Sequence, residues 1–245
     1  MRASAFEFRF RFAIHTVIYI LGFAAVWNKW LHLDTVGTWQ WLAAYLSRTK
    51  VMSFSAATIT VLVLGIVLAL AAAALRTWGT AYLGASVVKD GAMQGERIVP
   101  AGPYRYLRNP LYLGTFLHTL ALALLMLPSG AIFTVLLIGL FQLRLISAEE
   151  HFLGAKLGES YRVYCSKVPR LVPALTPRLE DSGARPQWLT AAVGEIYFWG
   201  VALTFLVLGW RYNSLLMVQG VLVSFGVSLV FRAFAPKAQS DGVAA

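Results

Sequence analysis

Residues 51–75 read VMSFSAATITVLVLGIVLALAAAAL, a run from Val51 to Leu75 without one charged side chain. A helix that crosses a bilayer needs about 20 apolar residues, with a range of roughly 17–25, so this run is long enough to span. Outward from it lie five more apolar segments: Phe12–Trp27, Leu111–Leu127, Ala131–Ile146, Leu189–Trp210 and Ser214–Ala235. The last two reach span length easily. The other three are short, and must borrow flanking residues or sit where the bilayer thins. Only Pro128-Ser129-Gly130 separates Leu111–Leu127 from Ala131–Ile146, so those two form an antiparallel hairpin. Thr38–Leu46, with Trp39, Trp41 and Tyr45, reads as an interfacial helix or loop. The expected fold is all-α: a polytopic transmembrane helical bundle with about six membrane segments and a cytoplasmic helix/loop region. Residues 1–235 form one membrane-embedded domain, and 236–245 a disordered tail.

The composition agrees. Of 245 residues, 58% are hydrophobic and 13% charged, and the mean hydropathy is +0.66. Soluble domains carry about a quarter charged residues. The formal net charge of +10 would suggest nucleic acid in a soluble protein. Here the basic residues fall between apolar runs, which suits the positive-inside rule and argues against a nucleic-acid partner. One cysteine, Cys165, excludes an intramolecular disulfide framework and any multi-cysteine metal site. Arg9 and Arg11 before the first apolar run resemble the start of a signal peptide. That run continues into Trp27, Lys29 and Trp30 with no small-x-small cleavage site, so it reads as a retained helix.

Lysine and arginine set the orientation. With the N-terminus in the cytoplasm, seventeen basic residues fall on that side and four on the other. Both long polar connections, residues 76–110 and 148–188, and both termini are then cytoplasmic.

The first connection ends in GPYRYLRNPLYLG, Gly102–Gly114. Pro110 is tolerated in a first helical turn, and Asn109 before it is a suitable N-cap, so "RNP" starts the third segment. Capping does not explain why Tyr104, Arg105, Tyr106, Arg108 and Tyr112 crowd the same place. Interfacial anchoring is one alternative, and an anionic ligand group at the helix N-terminus another. The second connection begins RLISAEEHFLGAKLGESYRVYCSKVPRLVP, Arg144–Pro173. Phe152, Leu153, Leu157, Tyr161 and Tyr164 recur at helical spacing, giving an amphipathic helix over 148–165 that Glu149 and Glu150 open. Acids at a helix start are favourable, but ionisable residues at a membrane face are also functional candidates. His118, about 12 Å along the third segment from Pro110 at 1.5 Å per residue, and Glu195 divide between structural hydrogen bonding and a substrate-facing role.

The paired blocks GPYRYLRNPLYLG and EEHFLGAKLGESYRVYCSKVPRLVP resemble the isoprenylcysteine carboxyl methyltransferase and phospholipid methyltransferase superfamily of membrane enzymes. LRTWGTAYLGASVVKDGAMQGERIV, Leu75–Val99, fits more loosely, so the resemblance covers a core of residues 75–175. It implies methyl transfer from S-adenosylmethionine, bound from the cytoplasm, to a hydrophobic or lipid-like acceptor. Lys89, Glu96, Arg97, Ile98, Val99, Tyr104, Asn109, Pro110, Leu111 and Tyr112 would line the cofactor site, with Glu149 and Glu150 opposite. Arg144 is the nearest equivalent of a substrate-positioning arginine, one residue out of register. Many members carry histidine where Asn109 stands, and asparagine does not titrate near neutrality, so a histidine acid/base role does not transfer. Displacement at a sulfonium methyl needs alignment and exclusion of water rather than a metal, and no metal-ligand spacing is encoded. The acceptor is left open among a prenylcysteine-type carboxylate, a phospholipid amine and a small thiol.

Two other functions compete: an NADPH-dependent, sterol-reductase-like membrane enzyme, and a non-catalytic membrane protein or transporter. Adjacent glutamates before L-G-x-x-Y favour the methyltransferase, and few intramembrane polar residues disfavour a transport path. The charge bias predicts which positions a membrane-impermeant thiol reagent reaches in intact cells. Thr38→Cys labels from outside, whereas Ser86→Cys and Ser182→Cys label only after the membrane is opened. Labelling of Ser86→Cys and Ser182→Cys from opposite sides would separate the two blocks.

Overall fold

The computed structural model describes residues 2–83 and 100–234, and all regular structure among them is helical. The chain begins with α1 (Ala5–Arg9), α2 (Arg11–Ala24), α3 (Asn28–Leu31) and α4 (Thr38–Arg48). The long α5 (Phe54–Leu83) is followed by a 3-10 turn, Gly102–Arg105. Next come α6 (Pro110–Ala123), α7 (Pro128–Leu157) and α8 (Glu159–Lys167). The chain closes with α9 (Trp188–Gly194), α10 (Ile196–Leu203) and α11 (Ser214–Phe234).

Among the described residues, four stretches are long and apolar enough to cross a membrane: Arg11–Leu31, Phe54–Leu83, Pro128–Leu157 and Ser214–Phe231. Trp188–Gly194 and Ile196–Arg211 make a fifth if counted as one span bent by 66°. The expected six therefore becomes four or five. The difference lies in α6, whose 14 residues rise only about 21 Å, short of a hydrocarbon core about 30 Å thick. Beyond Ala123 the chain leaves the helix and is pinned to α4, where Thr38 and Trp39 N–H donate to the carbonyls of Met126 (2.9 Å) and Leu124 (3.2 Å). Thr38–Arg48 is a helix, with Trp39 buried and Tyr45 exposed.

Small residues let the helices touch backbone to backbone, which is how spans pack when lipid offers no hydrophobic drive between them. Gly22 on α2 sits against Gly130 and Thr134 on α7. Gly79 on α5 admits Leu111 of α6, and Gly114 of α6 admits Arg76. The ring of Phe205 rests on Gly65 and joins Leu62, Leu122, Met126, Val201 and Met217 in the main core.

The start of α7 has no cap from its own flank. Asp34, from the loop before α4, accepts from the Ser129 N–H (3.0 Å) and from its hydroxyl. Trp27 Nε1 donates to the same hydroxyl at 2.8 Å. A carboxylate thus meets the positive end of α7 from another part of the chain.

The Gly22–Gly130 crossing yields a sharp test. A Cβ on Gly130 would collide with the Gly22 carbonyl oxygen, and backbone cannot swing aside. Gly130→Ala should destabilise the solubilised protein by about 1–3 kcal/mol. Gly226→Ala on α11 meets nothing within 4 Å and should stabilise by about 0.5–1 kcal/mol. Thermal unfolding of the two variants checks both signs.

Candidate active site

The two polar blocks converge at the far end of α7. The strap that follows α8 runs back along residues 100–108: the N–H groups of Ala174, Arg178 and Ser182 donate to the carbonyls of Tyr106, Arg105 and Pro100 at 2.9–3.1 Å. Arg108 N–H donates to Pro169 O (2.9 Å), and Gln187 N–H to Ala81 O (2.8 Å). Arg105 reinforces this through Nε to Leu179 O (2.8 Å) and an ion pair with Asp181 (3.1 Å). Gly158, at φ +59°, turns the chain from α7 into α8, a left-handed backbone that glycine adopts without strain. From α8, the Tyr164 hydroxyl donates to Tyr104 O at 2.9 Å.

The adjacent acids have different surroundings. Glu150 accepts from Asn109 Nδ2 (3.1 Å) and pairs with Arg108 (3.4 Å) and Arg170 (3.0 Å). Both arginine Nε atoms approach as charges rather than through aligned hydrogen bonds. Asn109 Nδ2 also donates to Arg170 O (3.1 Å). Glu150 is therefore a structural node joining α6, α7 and the strap. Glu149 is half-buried and accepts from the Tyr112 hydroxyl at 3.0 Å. Tyr104 and Arg11 also act on it electrostatically. Burial pushes the Tyr104 phenol well above its ordinary pKa, and Glu149 adds to the shift, so Tyr104 is a neutral hydroxyl.

Several expectations need correction. Glu149 and Glu150 do not open a helix: α7 continues unbroken to Leu157, because no residue before Gly158 interrupts it. Both acids lie inside its last turns, beyond the favourable field of a helix N-terminus. Asn109 stands at the N-cap position of α6, but its side chain makes no capping bond; the amide is committed to Glu150 and Arg170. Pro110 does begin α6. Leu111 O accepts from Thr115 Oγ1 (3.0 Å) and Arg76 Nη1 (3.4 Å).

The structure thus brings together Tyr104, Asn109, Pro110, Leu111, Tyr112, Glu149 and Glu150. Lys89, Glu96, Arg97, Ile98 and Val99 lie outside the described residues. Arg144 holds Glu7 through Nη2, at 2.9 and 2.8 Å, on a different side of α7 from Glu149. Sequence reasoning did not show that Arg11, placed by α2, is a buried cation. Its position before an apolar run looks the same as that of any positive-inside residue.

His118 and Glu195 belong to the core. His118 Nε2 meets the Tyr197 hydroxyl at 3.1 Å among aromatic rings. Glu195, at the break between α9 and α10, takes a two-pronged contact from Arg76 (2.7 and 2.9 Å) and the Thr80 hydroxyl (2.7 Å). An apolar cleft of about 600 Å³ between α5 and the α9–α10 bend is lined by Ala71, Ala74, Trp78, Trp188 and Trp199. Its lining residues carry no titratable group.

Residues 56–160 match the phospholipid methyltransferase family. This domain belongs to the isoprenylcysteine carboxyl methyltransferase/phospholipid methyltransferase superfamily of membrane methyltransferases. No curated protein and no solved structure gives a significant match to the chain. The family points to methyl transfer to a lipid by an integral membrane protein, in keeping with the spans. The helices α9–α11 and the N-terminal segment lie beyond the matched residues.

The node and the open acid should part company on mutation. Glu150→Gln leaves Arg108 and Arg170 without their shared counter-charge, and should lower stability by about 1.5–3 kcal/mol. Glu149→Gln keeps an acceptor for Tyr112 and should unfold within about 0.5 kcal/mol of wild type. Thermal or denaturant unfolding in detergent measures both, and equal losses would remove the distinction.

Proposed function

We propose that the protein is an S-adenosylmethionine-dependent methyltransferase acting on a lipid-like or small apolar acceptor, in the manner of isoprenylcysteine carboxyl O-methyltransferases, from a cytoplasm-facing site. The observation that carries this is the division between the two acids. Glu150 is neutralised by two arginines, whereas Glu149 remains half-buried with the Tyr112 hydroxyl as its donor. A half-dry carboxylate with a hydroxyl donor beside it suits a cationic ligand and disfavours a polyanionic nicotinamide cofactor.

S-adenosylmethionine, when bound, supplies an electrophilic methyl group on a sulfonium. The chain's part is to bind and to align. Glu149 would accept from the ligand's ammonium, with Tyr112 orienting the carboxylate through its own hydrogen bond. Tyr104, held neutral, donates its hydroxyl to Gly79 O on α5 at 3.4 Å. Asn109, fixed by Glu150 and Arg170, sets the start of α6 and so the reach of Tyr112. The surrounding helices exclude water, which strengthens each of these contacts. Family members acting on lipid use the bilayer as the acceptor's reservoir, and this bundle is open to lipid along its exposed faces.

Titration of the detergent-solubilised protein should show micromolar binding of S-adenosylmethionine and none of NADPH. Glu149→Gln should weaken S-adenosylmethionine binding about 10- to 150-fold, the loss of one charge-assisted hydrogen bond. Glu159→Gln, in an exposed pair with Arg162, should bind normally. NADPH binding without S-adenosylmethionine binding would sink the proposal.

A further inference from the structure

The apolar cleft beside α5 has walls that are held in place. One wall is the stripe Ala71, Ala74 and Trp78 of α5, and the others are Trp188 of α9 and Trp199 of α10. Those two helices diverge by 66° at Glu195, which Arg76 clamps at 2.7 Å, and both pack along α5. The alanine side chains are too short to fill the space between them.

Each tryptophan has its own support. The Trp78 ring lies against Tyr106, with centroids 5.8 Å apart, and Trp188 makes a T-shaped contact with Tyr82 at 6.3 Å. Trp199 Nε1 donates to Thr77 Oγ1 at 2.9 Å, so the indole's single polar atom is already satisfied. Trp188 and Trp199 are 51% and 39% exposed, and Ala71 and Ala74 are exposed beside them. A chain can therefore enter from the bilayer without any helix moving. A preformed apolar and aromatic cleft of about 600 Å³ is of ligand-binding size, and with no charge in its walls it suits hydrocarbon.

The same turn of α5 reaches the candidate site. Gly79, next to Trp78, accepts from the Tyr104 hydroxyl and lies against Leu111, the neighbour of Tyr112. The contact between Trp78 and Tyr106 puts the cleft at the end of the bundle where the two polar blocks meet.

On the proposed function, we infer that this cleft holds the hydrocarbon chain of the methyl acceptor, which makes the acceptor a long-chain amphiphile and not a small thiol. The chain lies against Trp78, Trp188 and Trp199, and the head group leaves along Trp78 and Tyr106 toward Tyr104 and Tyr112. Two of the walls come from α9 and α10, beyond the family-matched residues, so these helices take part in choosing the acceptor. A tail gains little by exchanging lipid for an apolar wall; what the cleft contributes is alignment of the reacting group.

The test first supplies methyl-labelled S-adenosylmethionine to the full chain in membranes of its source cells. Labelled product should partition into the lipid fraction. Label confined to small water-soluble or volatile compounds, or no product despite S-adenosylmethionine binding, would overturn the inference. In nanodiscs, a long-chain amphiphile with a diazirine in its tail should then crosslink to residues 71–78 and 188–199. The lipid fraction that accepts the methyl should compete with it. Ala74→Phe fills the cleft and should abolish that crosslink, lowering transfer to the lipid acceptor about 10- to 100-fold with S-adenosylmethionine affinity unchanged. Ala71→Leu serves if Ala74→Phe does not fold, and Val63→Phe, exposed on α5 outside the cleft, should behave as wild type. Crosslinking without competition would mark ordinary lipid contact, and normal transfer by a folded Ala74→Phe would mark a bound lipid other than the acceptor; either overturns the inference. Wild-type protein that binds no S-adenosylmethionine would overturn the underlying function itself.

Discussion

One carboxylate, that of Glu150, gathers the parts of the chain that surround the candidate site. Asn109 and Arg108 come to it from the approach to α6, and Arg170 from the strap. A single anion thereby fixes the start of one membrane helix, the end of another and the returning loop. Removing one partner from such a buried set costs more than the set contributes net, because the remaining charges lose their compensation. Its main product is register: Tyr112 lies three residues beyond Asn109, and Glu149 is next to Glu150 in α7. Their hydrogen bond follows from where Glu150 is anchored.

A second buried ion pair does similar work across a different boundary. Arg76, on the matched domain, reaches Glu195 at the α9–α10 bend, and also Thr115 and Leu111 O on α6. Phe198 covers the guanidinium at 4.3 Å. The C-terminal helices, which have no counterpart in the matched segment, are thus keyed to the helix that begins at Pro110. With the N-terminal latch on Arg144, the domain is braced from both of its flanks.

Much of the architecture could be read from the chain. Val51–Leu75 announced a span, and Pro110 announced the start of α6, because length and proline chemistry are local properties. Leu111–Leu127 already read as short, but the end of α6 could not be read: the apolar run continues through Leu124–Leu127, and only contacts with Thr38 and Trp39 show where the chain leaves the helix. The pairing of the two blocks was visible as a resemblance, but the separate duties of Glu149 and Glu150 were not. Neighbours in sequence look identical until Arg108 and Arg170, residues distant along the chain, choose one of them. Arg144 shows the same limit: that it holds Glu7 depends on how α1 docks, and no spacing encodes that.

The cap that Asp34 places on α7 fixes one end of that helix, and Glu150 fixes the other. Between Pro128 and Glu149 the rise is about 31 Å at 1.5 Å per residue, close to the hydrocarbon thickness of about 30 Å. Clamped at both ends, α7 behaves as a ruler that cannot shorten, and with Pro128 at one face of the hydrocarbon Glu149 would reach the other. On the proposed function, a water-soluble methyl donor would meet it there while an acceptor kept its tail in the leaflet. A thicker membrane would draw that boundary past the carboxylate, which ties the working position of the site to the lipid composition around it.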